Sequence, residues 1–179
     1  METMGYVIWI TGLSASGKTT LGSAVTASLT SKYKNTVFLD GDALRTVFDQ
    51  SSVHSREERI RLAFVYGRLC KMLSEQGLIV VIATVALFKE IHAWNRENFE
   101  HYIEVFIDVP MSELRRRDPK GIYRMYDLGE IKDVAGLDLV IDYPSCPHLH
   151  FVFEKELNIQ SMSENILDKL EIEISKDLL

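Results

Sequence analysis

A chain of 179 residues, 46% of them hydrophobic and 26% charged, has the composition of a soluble globular protein rather than a disordered one. Its length suits one domain over residues 1–179 and is too short for two domains of ordinary size. The net charge of −6 argues against a general nucleic-acid surface. The two cysteines, Cys70 and Cys146, form no disulfide framework, and we expect both to be small buried side chains in a reducing compartment.

Neither a secretory signal nor a membrane span is predicted. The N-terminal stretch METMGYVIWITG lacks a basic start and runs directly into a glycine-rich segment. The longest apolar run, GLIVVIATVALF at 77–88, falls short of the ~20 residues that cross a bilayer. We therefore expect a cytoplasmic protein with no membrane partner.

Apolar, β-branched runs alternate with helical patterns along the chain. These runs occupy residues 5–11, 36–40, 78–84, 102–108 and 149–153, and a last helix is predicted over 162–172. Strands that alternate with helices indicate an α/β fold of three layers, in which helices cover both faces of a central parallel sheet. Ligands of such sheets bind at the carboxyl ends of the strands.

The segment GLSASGKTT at 12–20 directly follows the first predicted strand. Gly12, Gly17, Lys18 and Thr19 have the spacing of a phosphate-binding P-loop. Backbone N–H groups and the start of the next helix would hold the phosphates, Lys18 would neutralise the outer ones, and the Thr19 hydroxyl would bind Mg²⁺. A glycine-rich turn that matches by chance is the alternative, but the flanking strand and helix favour the P-loop.

Two carboxylates follow the second predicted strand, in LDGDALR at 39–45. Asp40 and Asp42 lie on the same side if the chain stays extended. One could then organise Mg²⁺ while the other takes a proton from an acceptor hydroxyl. The alternative is an Asp-Gly turn in which one aspartate caps a helix.

A cluster of cations lies in RRRDPKGIYR at 115–124, and its members are Arg115, Arg116, Arg117, Lys120 and Arg124. Such a run is usually a solvated helix face. The break at Pro119 and Gly121 instead favours a lid loop, over about 115–135, that brings cations to the transferring phosphate.

The segment SREERIR at 55–61 carries both a helix start and three arginines. Ser55 and Glu58 have the spacing of a capping box. Arg56, Arg59 and Arg61 are either surface residues or ligands for the anionic groups of an acceptor, and the sequence leaves both open.

A metal site beyond the nucleotide is not predicted. Cys146, His148 and His150 alternate near the last strand, but a closed zinc site needs a fourth ligand and a different spacing. Mg²⁺ bound with the nucleotide is the only metal expected.

The segments GLSASGKTTL, LDGDALR, EVFIDVPMSELRRRDPKGIYR, GEIK and AGLD together resemble the adenylylsulfate kinase family over about residues 5–147. The resemblance implies a P-loop nucleotide kinase fold with a basic lid. It also implies transfer of the γ-phosphate of ATP, with Mg²⁺, to the 3′-hydroxyl of adenosine 5′-phosphosulfate.

The resemblance assigns roles to individual residues. The ATP phosphate site becomes Gly12, Ser14, Ala15, Ser16, Gly17, Lys18, Thr19 and Thr20. Asp42 becomes the hydroxyl-activating residue and Asp40 its partner near Mg²⁺, with Lys18 as a third catalytic group. Arg117, Lys120 and Arg124 belong to the lid. The acceptor ligands become Arg45, Arg56, Arg59 or Arg61, Lys89 and Lys132.

The acceptor side departs from the family pattern. Two phenylalanines that sandwich the acceptor's adenine in the family are absent, one from DQSSVHS at 49–55 and one at Val134. Their loss would remove ~2–6 kcal/mol of stacking. Other family residues are replaced by Ala43, Ala86, Leu87, Lys89 and Asp127. The ATP side is intact, and the acceptor side is changed.

A different acceptor nucleotide is therefore expected. The family includes cytidine diphosphoramidate kinase, an enzyme of capsule phosphoramidate synthesis, and a smaller pyrimidine would fit where the rings are absent. An ordinary adenylylsulfate kinase is the alternative. A switch-type NTPase lacks support because the chain has no Asn-Lys-x-Asp stretch, and a nucleotide-sensing subunit would not need Lys18, Asp40 and Asp42. The oligomeric state is open, with a homodimer as one option.

Overall fold

A five-stranded parallel sheet organises the computed structural model of the protein, which describes residues 5–49, 55–156 and 158–177. The strand order is β2-β3-β1-β4-β5. The strands are β1 Tyr6–Thr11, β2 Thr36–Asp40, β3 Ile79–Thr84, β4 Tyr102–Asp108 and β5 Leu149–Val152. The helices are α1 Lys18–Lys32, α2 Gly41–Val47, α3 Arg56–Ser74, α4 Lys89–Asn98, α5 Met111–Arg117, α6 Ile122–Asp127 and α7 Ile159–Asp177.

The central strands β1 and β3 are apolar up to a terminal threonine because helices cover both faces of the sheet. β1 and β3 are buried at every position, and Trp9 is completely inaccessible to solvent. The chain crosses from β1 through α1 to β2 and then returns through α3 to β3. With right-handed crossovers, reversing the direction along the sheet places α1 and α3 on opposite faces.

β1 pairs with β3 on one side and β4 on the other, and the connection that leaves β1 runs the opposite way along the sheet from those that leave β3 and β4, while all the strands are parallel. The carboxyl ends of β1, β2, β3 and β4 therefore meet at one edge, and Asp40 ends β2 there. This is the edge at which doubly wound sheets bind ligands.

Most of the sequence-based expectations for the fold are confirmed. The strands lie within a residue of their predicted bounds, and the three-layer α/β class is correct. The last helix is longer than predicted and begins at Ile159, where Asn158 Oδ1 accepts from the Ser161 amide. No helix within the described residues is long and apolar enough to cross a membrane.

The two cysteines differ in exposure. Cys70 is buried in α3, as expected, whereas the expectation for Cys146 was wrong because its side chain is exposed. Cys146 precedes β5 in an irregular segment that contributes a backbone group to the fold: its carbonyl oxygen accepts from Arg96 Nη2 at 2.6 Å.

Candidate active site

The loop between β1 and α1 depends on two glycines. Gly12 has a φ of 156°, and a Cβ at this position would lie 2.6 Å from the carbonyl oxygen of Ile107. Gly17 has a φ of 97° and is the N-cap residue of α1. Because glycine has no side chain, the cap residue supplies no hydrogen-bond acceptor to the first N–H groups of this helix. A tight loop that leads into an uncapped helix start is suited to an anion.

Lys18 lies inside this loop, with only 9% of its surface exposed. Its Nζ donates to the carbonyl oxygen of Leu13 at 2.6 Å and lies 3.4 Å from Ser16 Oγ. Burial lowers the pKa of Lys18 to about 8, against the opposing effect of the charges on Asp42 and Asp40. The ammonium group is thus held close to the position that phosphates would take.

Asp40 makes two kinds of contact. Its Oδ1 accepts from the amides of Asp42 and Ala43 at 2.9 and 3.2 Å, which makes it the N-cap of α2. Its Oδ2 accepts from Thr19 Oγ1 at 2.7 Å. The chain does not stay extended after Asp40, so that premise was wrong. The helix cap and the contact with the P-loop threonine are both present.

Asp42 lies on the first turn of α2 and forms an ion pair with Lys120 of the predicted lid. Burial raises the pKa of Asp42, but the hydrogen bond and charge of Lys120, helped by Arg45 and Lys18, lower it by more. The carboxylate is therefore ionised at neutral pH and faces the lid.

The predicted lid is built from two short helices with a break at 118–121 rather than from one loop. Asp118 ends α5, and its Oδ2 accepts from the Arg124 amide at 3.0 Å. The Tyr123 hydroxyl donates to the carbonyl oxygen of Ser14 at 2.9 Å, and Arg117 Nη1 lies 3.5 Å from that of Ala15. The segment is therefore attached to the P-loop. The Arg124 side chain is exposed.

A cavity of about 340 Å³ opens beside the P-loop on the side of β5. Gly17, Thr20, Arg117 and Phe153 are among its lining residues, and the guanidinium of Arg117 lies 5.0 Å from the centre of the Phe153 ring. An arginine over an aromatic ring offers a flat surface to a planar ligand. The sequence singled out Arg117 but missed Phe153, whose only signal was an aromatic residue directly after the last strand.

A second pocket lies on the other side of the P-loop, between α3 and the carboxyl end of β3. Arg45 and Arg59 supply its charged groups. The rest of the lining is Leu62, Ala63, Tyr66, Thr84, Val85, Ala86, Phe88 and Ala135. Arg59 Nη2 donates to the carbonyl oxygen of Asp133 at 2.8 Å, and the Tyr66 hydroxyl donates to that of Gly41 at 3.1 Å.

The remaining predicted acceptor ligands do not line this pocket. Arg56 pairs with Glu90 at 3.3 Å and with Asp142 at 2.8 Å. The Arg61, Lys89 and Lys132 side chains are exposed. Of the two residues that the family resemblance left open, the pocket contains Arg59 and not Arg61.

Two other expectations concern neighbouring segments. Ser55 and Glu58 form the predicted capping box at the start of α3. Cys146, His148 and His150 do not converge: His148 Nδ1 accepts from the Glu104 amide, and His150 Nε2 lies 3.2 Å from Asp108 Oδ2. The described part of the chain contains no group of three His, Cys, Asp or Glu residues that could hold a metal. Residues 50–54, where the first family phenylalanine is absent, lie outside the described residues.

Comparison with known proteins assigns the family. The sequence profile described as adenylylsulphate kinase matches residues 4–152. The chain belongs to the adenylylsulphate kinase family. It is 38% identical over 177 residues to a cytidine diphosphoramidate kinase of Campylobacter jejuni, a match that covers 98% of both chains. It is also 41% identical over 145 residues to an adenylyl-sulfate kinase of Pseudomonas aeruginosa, with 80% of this chain and 74% of that one covered.

The solved structures agree with this assignment. The adenylylsulphate kinase CysC of Mycobacterium tuberculosis, in complex with AMPPNP and APS, superposes with a TM-score of 0.86 at 29% identity and covers 94% of this chain and 98% of that one. The predicted family, P-loop kinase fold and phosphotransferase activity are therefore confirmed. The cytidine diphosphoramidate kinase and the adenylyl-sulfate kinases among the relatives correspond to the main and alternative hypotheses for the acceptor.

Proposed function

We propose that the protein transfers the γ-phosphate of ATP to the 3′-hydroxyl of a cytidine nucleotide with a phosphoramidate group, of the cytidine diphosphoramidate type. The observation that carries this proposal is the composition of the second pocket. Two arginines, Arg45 and Arg59, line it together with the small side chains of Ala86 and Ala135. Val134, at the position of the second family phenylalanine, is buried. The pocket thus offers two arginines as ligands for an anion. The positions of the two family phenylalanines supply no pair of rings that could stack on a purine.

The Campylobacter jejuni relative supports the same choice because its similarity extends over 98% of both chains. Capsule phosphoramidate synthesis, the setting that the family resemblance implies for such a kinase, would be the corresponding biological setting. Adenylylsulfate is the second candidate acceptor, since the Pseudomonas aeruginosa relative is 41% identical over 145 residues.

The P-loop side would hold ATP. In this proposal the amides of residues 12–20 and the start of α1 bind the phosphates, and Lys18 neutralises the outer ones. The adenine would occupy the 340 Å³ cavity between Arg117 and the P-loop. Arg124 and Lys120 would complete the cover as the lid excludes water.

Thr19 and Asp40 fit a magnesium ion. The Thr19 hydroxyl and Asp40 Oδ2 are 2.7 Å apart at the phosphate loop, and both are the hard oxygen ligands that Mg²⁺ prefers. Bound there, Mg²⁺ would offset charge on the transferring phosphate. The second oxygen of Asp40 stays engaged with α2, which fixes the orientation of the carboxylate.

Asp42 would orient the acceptor hydroxyl and take its proton. Its low pKa keeps it ionised, and it lies across from Lys18, whose charge acts on it. Lys120 forms an ion pair with Asp42. Lys120 must therefore leave Asp42 and bind the phosphates of ATP before Asp42 can accept a hydrogen bond from the acceptor hydroxyl. Arg45 and Arg56 would bind the phosphate end of the acceptor, with Arg56 exchanging one of its carboxylate partners. Lys89 and Lys132, both exposed, would reach this end only after the surrounding segments close.

The test is ADP release from ATP and Mg²⁺ with the purified protein, under three conditions: no acceptor, adenylylsulfate, and cytidine diphosphoramidate, with product masses determined. We expect a clear preference for the cytidine compound. Preference for adenylylsulfate would assign the protein to the second candidate function. Equal turnover without acceptor would indicate a switch-type NTPase, and binding of ATP without turnover would indicate a nucleotide-sensing protein.

A further inference from the structure

Arg59 occupies a position from which it can recognise more than charge. It lies near the start of α3 and turns into the pocket beside Leu62, Ala63 and Ala135. Its Nη2 donates to the carbonyl oxygen of Asp133, a neutral group, at 2.8 Å. The guanidinium is therefore held against the 133–135 segment by a bond that a ligand could replace.

The surroundings of Arg59 favour a planar ligand with hydrogen-bond acceptors. Phe88, Ala86 and Val85 supply apolar surface, and a guanidinium has only donors. Arg45 shares the pocket, and its buried Nε has no hydrogen-bond partner among the described residues. Burial and the nearby charge of Arg45 lower the pKa of Arg59. Two sets of donors thus face a largely apolar cavity.

We propose that Arg59 selects the base of the acceptor by donating two parallel hydrogen bonds to O2 and N3 of cytosine. This inference rests on the proposed function and assigns to Arg59 a role different from the phosphate ligand that the family resemblance implied. Cytosine has two adjacent acceptors on this edge, which match the two donors of a guanidinium fork. Adenine has a donor next to an acceptor there, and uracil has a donor at N3, so neither matches.

The Asp133 carbonyl completes the selection. When Arg59 turns to the base, this oxygen loses its donor, and the exocyclic amine of cytosine can replace it. Uracil presents an oxygen at the same place and leaves the Asp133 carbonyl unpaired, which is costly in a buried site. The pocket volume of about 30 Å³ is too small for a base, so the 133–135 segment moves outward as the base enters.

The experiment compares kcat/KM for cytidine diphosphoramidate, its uridine counterpart and adenylylsulfate in the full-length enzyme. In the wild type we expect the cytidine compound to exceed the uridine compound. Arg59→Gln should lower kcat/KM for the cytidine compound roughly 5- to 150-fold, mainly through KM, and bring the cytidine-to-uridine ratio close to one. The matched control is Arg68→Gln, since Arg68 is exposed on the same helix and lies over Phe64, away from the pocket.

A second variant separates base recognition from phosphate binding. Arg59→Lys keeps the charge but loses the planar fork, so it should lose cytidine preference as Arg59→Gln does. Rescue of the cytidine preference by lysine, or an equal loss for all acceptors, would overturn the assignment. Both variants are checked for an unchanged melting temperature and unchanged ATP affinity, and Arg59→Lys provides the result if Arg59→Gln does not fold.

The two proposals fail in different ways. If the wild type prefers adenylylsulfate, both the cytidine function and the selection by Arg59 are refuted. If the wild type prefers the cytidine compound and Arg59→Gln keeps the cytidine-to-uridine ratio, only the role of Arg59 is refuted.

Discussion

Replacing Lys18 with methionine should stabilise the protein at neutral pH while it abolishes phosphoryl transfer. The burial of Lys18 lowers its pKa from 10.5 to about 8. At about 1.4 kcal/mol for each factor of ten in proton affinity, holding the charged form in the folded protein costs about 3 kcal/mol. Methionine has a similar length and no charge, so this cost disappears. The Leu13 carbonyl oxygen keeps a donor, because the Ser16 amide lies 3.2 Å from it.

The stability advantage of Lys18→Met depends on pH. Between pH 8 and 10.5 the unfolded chain carries the proton on Lys18 and the folded chain does not, so the stability of the wild type rises with pH over this window. Below pH 8 the cost is present in full. The advantage of Lys18→Met should therefore be about 1–3 kcal/mol at pH 7 and should shrink toward zero near pH 10.5.

Urea denaturation at pH 7 and pH 10 measures this difference directly, and thermal melting should show a rise of about 4–8 °C at pH 7 for a gain of about 2 kcal/mol. Lys34→Met, at an exposed position, is the control and should change stability by less than about 0.5 kcal/mol at either pH. Destabilisation of Lys18→Met at pH 7, or a difference that does not depend on pH, would refute the reasoning.

Substitutions at three further residues test individual roles. Asp42→Asn should lower kcat about 10²- to 10⁴-fold and change the KM for ATP little, in steady-state assays; an unchanged kcat would remove Asp42 from the catalytic role. Asp40→Ala should lose about 1 kcal/mol of stability and require more Mg²⁺, whereas Asp40→Asn, which still caps α2, should show only the second effect in denaturation and Mg²⁺ titrations. Equal stability of the two would argue against the cap. Tyr123→Phe removes the bond to the Ser14 carbonyl and should raise the KM for ATP by about 2- to 12-fold without altering the Mg²⁺ requirement. An unaltered KM would mean that this bond is not made during catalysis.

The strands and the P-loop were readable from the sequence because each has a local signature. A strand buried on both faces is a short β-branched run. Gly12 is needed because the backbone passes close to Ile107, and Gly17 because its φ is positive. Asp40 was placed correctly near Thr19 because it ends a strand at the ligand-binding edge. Its helix cap was one of two alternatives, since an Asp-Gly pair is compatible with either geometry.

What the sequence did not reveal depends on contacts between distant residues. Phe153 lies under Arg117, and no local pattern indicates which aromatic residue an arginine will reach. In the sequence, Glu104 is a single polar residue within an apolar strand. In the structure it is fully buried and forms an ion pair with Arg96 of α4, and its Oε1 lies 2.8 Å from His92 Nδ1. Such pairings are set by the crossing of helix and strand, which sequence periodicity does not encode.

The strand order also affects how the chain folds. β1 is the first strand to be synthesised, but its neighbours β3 and β4 begin at Ile79 and Tyr102, so β1 has no partner until nearly half of the chain exists. Pairings between such distant segments form slowly because a long loop must close first. The apolar YVIWIT stretch is thus exposed during synthesis and is a site where a nascent chain would need protection from aggregation. The loop at 12–17 packs Gly12 against Ile107 of β4, so we expect the nucleotide to bind late in folding and to stabilise the completed sheet.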